Sequence, residues 1–130
     1  EVLGKDPRRV DARANLGMVL LKTGRPEPAA EALGLAVQAR PDLVQVRYFY
    51  GLALFQTGRA DAARRELGVV LTAEPRRMDA LHLLALSLLK LGELKDGIDA
   101  LEQVVSAQPG NRRAAYTLAS AYLQDGDGTN

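Results

Sequence analysis

Apolar residues recur at helical spacing and are interrupted on schedule. Leu16, Val19, Leu20 and Leu21 mark a first helical stretch that ends in Lys22-Thr23-Gly24. Ala29, Ala32, Leu33, Ala36 and Val37 then form the stripe of a second, which runs to just before Pro41. A basic residue in the last turn followed by glycine is a helix stop. Proline stops the second helix because it lacks an amide donor and disfavours helix in the residue before it. The pattern then repeats: Ala63, Leu67 and Val70 give the later stripe of one copy, Leu101, Val104 and Val105 that of the next. The spacing predicts helices over 9–22, 27–39, 43–56, 60–73, 77–90, 94–107 and 111–124.

The interruptions carry the period. Glycine stands at Gly24, Gly58, Gly92 and Gly126, and proline at Pro7, Pro41, Pro75 and Pro109, each series 34 residues apart. One two-helix unit is thus written several times, which implies a stacked array with a continuous core. The units fall at 10–43, 44–77 and 78–111. Residues 1–9 read as the end of a preceding copy, and 112–130 as the first helix of a further copy plus a tail. No polar capping element closes either end, so the sequence is expected to be a piece of a longer protein, and its exposed ends invite self-association.

Composition narrows the function classes. Across 130 residues the net charge is +1, so no strong field draws the whole chain to nucleic acid or an anionic membrane. No apolar run reaches the roughly 18 residues of a membrane span. The absence of cysteine excludes disulfides and thiolate sites and leaves cytoplasm and periplasm both open.

The residues also resemble a known family. Arg13-x-x-Leu16-Gly17-x-x-Leu20, Ala29-x-x-x-Leu33 and Pro41 are similar to the tetratricopeptide repeat. Tyr50-Gly51, Leu54, Ala63, Leu67 and Pro75 continue it, then Leu81, Leu84-Ala85, Leu88, Gly97, Leu101 and Pro109, then Leu118-Ala119 and Tyr122. Arg13 and Arg47 replace the signature tryptophan. Gly97 replaces a small alanine, at about 1 kcal/mol of helix propensity. The resemblance implies an all-α, right-handed α-solenoid of antiparallel helix pairs, about seven helices in all. Gly17, Gly51, Ala85 and Ala119 would let the helices of a pair approach closely against Ala29, Ala63 and Gly97.

In that family the working surface is the concave face, lined by the first helix of each pair. The resemblance places there Met18, Leu21 and Lys22; Tyr48, Phe49, Leu52 and Phe55; His82, Leu86, Leu89 and Lys90; and Tyr116 and Ser120. Asp11, Ala14, Gln45, Gln56, Asp79, Leu83, Arg113, Thr117, Leu123 and Gln124 complete the lining. Its centre is apolar, as expected of a docking surface for another protein. The family's carboxylate clamp for acidic chaperone tails needs Lys and Asn on this surface. The corresponding residues are Ala14, Met18, Phe49, Asp79 and Leu83, so such a tail is not expected. The expected partner is an apolar or amphipathic peptide or helix in the groove, with Lys22, Lys90 and Arg113 as rim. The alternative is a spacer or self-assembly segment whose apolar surface is consumed internally.

Three other features bear on chemistry. Arg8-Arg9, Arg76-Arg77 and Arg112-Arg113 lie between proline and the next helix, so they would line one edge; without interleaved aromatics this is too thin a footprint for nucleic acid. Asp79, His82 and Ser120, with Tyr116 alongside, are geometrically imaginable as a catalytic group. Side-by-side helices offer no oxyanion hole, however, so no enzyme is expected. One His and one Asp fall short of a metal site, and Asp125-Gly126-Asp127-Gly128 is too short for a calcium loop, so no cofactor is expected.

Overall fold

In the computed structural model residues 7–126 are described, and within them the chain is helical throughout. The helices are α1 (Pro7–Lys22), α2 (Pro26–Ala39), α3 (Val44–Gln56), α4 (Ala60–Ala73), α5 (Met78–Lys90), α6 (Leu94–Ala107) and α7 (Arg112–Gln124). Helix α1 begins two residues before the sequence-based boundary. Proline is tolerated in a first turn, where the missing amide would have no partner. Glu1–Asp6 and Asp127–Asn130 lie outside the described residues, and with them most of the expected preceding copy (1–9) and most of the calcium-like tail; Pro7–Arg9 belong to α1.

Each pair is joined by the same turn. Gly24, Gly58, Gly92 and Gly126 adopt φ of 78°, 85°, 81° and 83°, the left-handed region. A Cβ would meet nothing within 4 Å at any of them, so the conformation, not space, selects glycine. The following amide closes the turn on the preceding helix: Arg25 N–H to Leu20 O (2.8 Å), Arg59 to Leu54 (2.8 Å) and Glu93 to Leu88 (2.9 Å). These bonds satisfy carbonyls that the helix end would leave open.

Packing runs from neighbour to neighbour along the chain, α1 on α2, α2 on α3, and so to α7. Leu33, Leu67 and Leu101, one per second helix, are fully buried, together with Ala36, Val70 and Val104 below them. Full burial of each leucine contributes about 2 kcal/mol, so the second helices form the spine of the core. Beyond adjacent helices, α1 also touches α3 and α3 touches α5, more closely than any two of α2, α4 and α6 meet. The first helices therefore lie on the inner side of the curve.

The small residues let the two helices of a pair approach closely. A Cβ on Gly17 would stand 2.4 Å from Leu33 Cγ, and one on Gly51 3.2 Å from Leu67 Cδ2. The atoms nearest these positions belong to the core leucines. Gly97 makes room for Leu89, whose Cδ2 would lie 2.7 Å from an added Cβ, and it also approaches the Ala85 carbonyl.

Candidate protein-docking groove

The inner face is built from equivalent positions of α1, α3, α5 and α7, and the structure does not make it one open strip. Between α1 and α3 lies a cleft of about 530 Å³, with Met18, Leu21, Phe49 and Leu52 as its floor and Val19 beside them. Asn15, Lys22, Gln45 and Gln56 form its polar margin. Phe55 and Lys90 line a different cleft, toward the Gly58 turn, together with Gln56, Arg59, Asp61 and Arg65. Two assigned lining residues are core instead: Ala14 is 4% exposed and Leu83 5%. Ala14 packs with Ala29 and Leu33, Leu83 with Leu54 and Leu67, because each turns toward its neighbouring helices.

The remaining assigned residues divide by depth. Leu86 is half-buried against the core shared by α3, α4 and α5, and Leu89 against that of α5, α6 and α7. Tyr116 is 75% exposed and Ser120 is open as well, both on α7. Tyr48 is half-buried. Its ring meets Phe49 edge-on at 5.4 Å between centroids, and the Arg77 guanidinium lies 4.4 Å over its face. Burial raises the Tyr48 hydroxyl above its ordinary value; Asp79 adds to the rise and Arg77 opposes it.

Arg77 corrects the expected arginine edge. Its side chain is largely buried, and it donates from Nε to Asp79 (2.9 Å), from Nη1 to Glu74 (3.2 Å) and from Nη2 to Gln45 (2.7 Å). Burial lowers its affinity for the proton, but bonds and attraction from Asp79 and Glu74 outweigh that and raise it. It is a clasp between units, not part of a free row. Arg47, one of the two residues in the place of the signature tryptophan, pairs with Glu66 at 2.7 Å and reaches Pro41 O at 3.1 Å. Sequence reading missed Glu66, although Ala32 at the equivalent place in the first unit was a signal.

The catalytic arrangement is not assembled. Asp79 is held by Arg77, and His82 Nε2 is buried with no hydrogen-bond partner among the described residues. Burial, and then the nearby charge of Arg113, lower the His82 pKa. Among the described residues no group of three His, Cys, Asp or Glu is placed to hold a metal. No helix among them is long and apolar enough to cross a membrane.

A further cleft, of about 1010 Å³, went unread in the sequence. It lies beside α1 and α2, with Leu16, Leu20, Leu35 and Tyr50 among its walls and Glu27, Glu31 and Arg59 at its edges. Leu16 is 53% exposed there, whereas Tyr50, Leu84 and Leu118 at the equivalent positions are half-buried.

Among the described residues, seven antiparallel-packed helices, a shared glycine turn and an inner face of first helices define an α-helical repeat protein. The profile described as tetratricopeptide repeat matches residues 1–44 and 82–130, and that of anaphase-promoting complex, cyclosome, subunit 3, matches 28–104. The chain belongs to the tetratricopeptide-repeat family. No curated protein matches it by sequence. Among solved structures it is similar to MamA, at 30% identity and a TM-score of 0.85, covering 96% of this chain and 73% of that one. "MamA 41-end from Desulfovibrio magneticus RS-1" gives 29% identity, a TM-score of 0.82 and coverage of 91% and 67%. The first TPR of Spaghetti (RPAP3), bound to the HSP90 peptide SRMEEVD, gives 16% identity, a TM-score of 0.83 and coverage of 92% and 94%, a likeness of fold alone.

Proposed function

We propose that the chain is a non-catalytic interaction scaffold, with units at 10–43, 44–77 and 78–111, that binds an apolar or amphipathic peptide of another protein on its inner face. The observation that carries this is the cleft between α1 and α3, where Met18, Leu21, Phe49 and Leu52 present apolar surface inside a polar margin. Such a concave, mostly apolar surface with few polar groups suits a helix laid in a groove. Tyr48, Phe55, His82, Leu86, Leu89, Tyr116 and Ser120 extend the contact beyond that cleft, with Lys22 and Lys90 at its rim.

The test is selection of displayed peptides against the chain, followed by calorimetric titration of the winners. Leu52→Arg should weaken them at least about tenfold with helix content unchanged by circular dichroism. Equal affinity for both chains would sink the reading. A second reading, self-association, is favoured by the apolar surface left open on α1, where Val19 is 54% exposed, and on α7, where Leu123 is 83% exposed. Light scattering over a concentration series separates the two.

A further inference from the structure

The near-zero net charge hides a segregation. Helices α1, α3, α5 and α7 carry eight basic residues against two acidic ones, Asp11 and Asp79. Helices α2, α4 and α6 carry three basic residues against seven acidic ones. The inner layer of the curve is therefore positive and the outer layer negative.

Pairing sharpens the contrast. Of the two inner acids, Asp79 is bound by Arg77 and Asp11 lies within electrostatic reach of Arg40. By contrast, Lys22, Lys90 and Arg113 are exposed, and their charged groups make no hydrogen bond or ion pair among the described residues. Lys22 and Lys90 are the last residues of α1 and α5, so each also meets the negative end of its helix. That accounts for a basic residue at such a place but does not require one, since α3 and α7 end in Gln56 and Gln124. Apart from Asp11, the charge on the first helices without a hydrogen bond or ion pair thus includes these three cations, and one of them borders the apolar floor: Lys22 belongs to the margin of the Met18–Leu52 cleft.

We propose that the segment taken by the groove is an acidic amphipathic helix, its apolar stripe on Met18, Leu21, Phe49 and Leu52 and its carboxylates along Lys22, Lys90 and Arg113. This rests on the groove reading above and adds the charge of the partner. Neighbouring first helices stand about 10 Å apart, so Lys22 and Lys90 are about 20 Å from each other across α3. A helix of about fourteen residues spans that length. The clamp positions play no part: recognition comes from an apolar seat with a cationic border, not from grip on a chain terminus.

The test uses three synthetic amphipathic peptides of about 16 residues with one shared leucine stripe and a polar face of Glu, Gln or Lys. Titrated calorimetrically into the chain at low salt, the Glu peptide should bind at least about tenfold tighter than the Gln peptide, and the Lys peptide weakest. That advantage should shrink as salt rises, because exposed charges are screened. Lys22→Glu with Lys90→Glu should remove the advantage of the Glu peptide over the Gln peptide, whereas Glu31→Lys with Asp99→Lys on the outer layer should leave both unchanged. Equal binding of the Glu and Gln peptides would overturn the inference and spare the groove. No binding by any of the three, with folded chain, would count against the groove itself. A rise in the mass of the free chain by light scattering, abolished by Glu31→Lys with Asp99→Lys, would give the groove to a second copy and overturn the proposal.

Discussion

Arg77 and Asn111 occupy the same place in successive units, the residue before a first helix, and do opposite work. Arg77 reaches back to the preceding first helix: it bonds Gln45 and covers Tyr48, both on α3. Asn111 stays local. Its side-chain oxygen accepts from the Ala114 amide at 3.0 Å, and its Nδ2 donates to Gln108 at 2.9 Å. It is the side-chain N-cap of α7, while α2 to α6 have none. One position can therefore tie two units together or finish one helix, and the array is held unevenly along its length although its period is strict.

The largest effect that would break this contrast is Arg77→Ala. It removes bonds to three partners and the cover of Tyr48, and should cost about 2 kcal/mol in urea unfolding. Amides of α3 and α5 should exchange faster as well; unchanged protection in α3 would mean that Arg77 serves only the turn before α5. Asn111→Ala should cost about 1 kcal/mol and speed exchange in the first turn of α7 while α3 stays as it was. A transplant sharpens the point: Asn111→Arg with His82→Tyr copies the clasp to the next junction. It should be more stable than Asn111→Arg alone by roughly 0.5–1 kcal/mol, and equality would show that a ring at this place is not enough.

The smallest effect is one of pH. Burial, then Arg113, hold the His82 pKa below its ordinary 6.5, so the folded state prefers the neutral ring. In the unfolded chain the ring takes its proton first, and folded stability therefore falls as pH drops below about 6.5. Above that value His82 adds no pH dependence. The third unit and α7 should loosen between pH 7 and 5, and His82→Leu should flatten that slope in a urea series. A slope equal in both proteins would remove His82 from the account.

The fold was legible because its signals are local and repeated. Helices 60–73 and 94–107 were placed to the residue, as Gly58 and Gly92 set their starts and Pro75 and Pro109 limit their ends. The core leucines followed from the same register. The inner face was harder to read. Ala14 and Leu83 occupy lining positions yet turn inward, because what a first-helix residue meets depends on the bulk of its neighbours across the stack. Arg77 looked like one of a row of loop arginines. Only the presence of Tyr48 and Gln45 on the preceding first helix distinguishes it, and that relation spans 32 residues from Arg77 to Gln45.

The four glycine turns differ by only a few degrees in φ and press on nothing around them. Each hinge is thus indifferent to the identity of the unit it serves, which makes length changes of a whole period the permitted ones. Excising residues 44–77 would join Leu43 to Met78 and set Leu84 where Tyr50 now lies against Gly34. Every other joint would stay as it is. Loss of 33 or 35 residues would instead rotate all downstream helices by about 100° relative to those before the cut, and no local repair would restore the stack. An array of this kind grows and shrinks by copying.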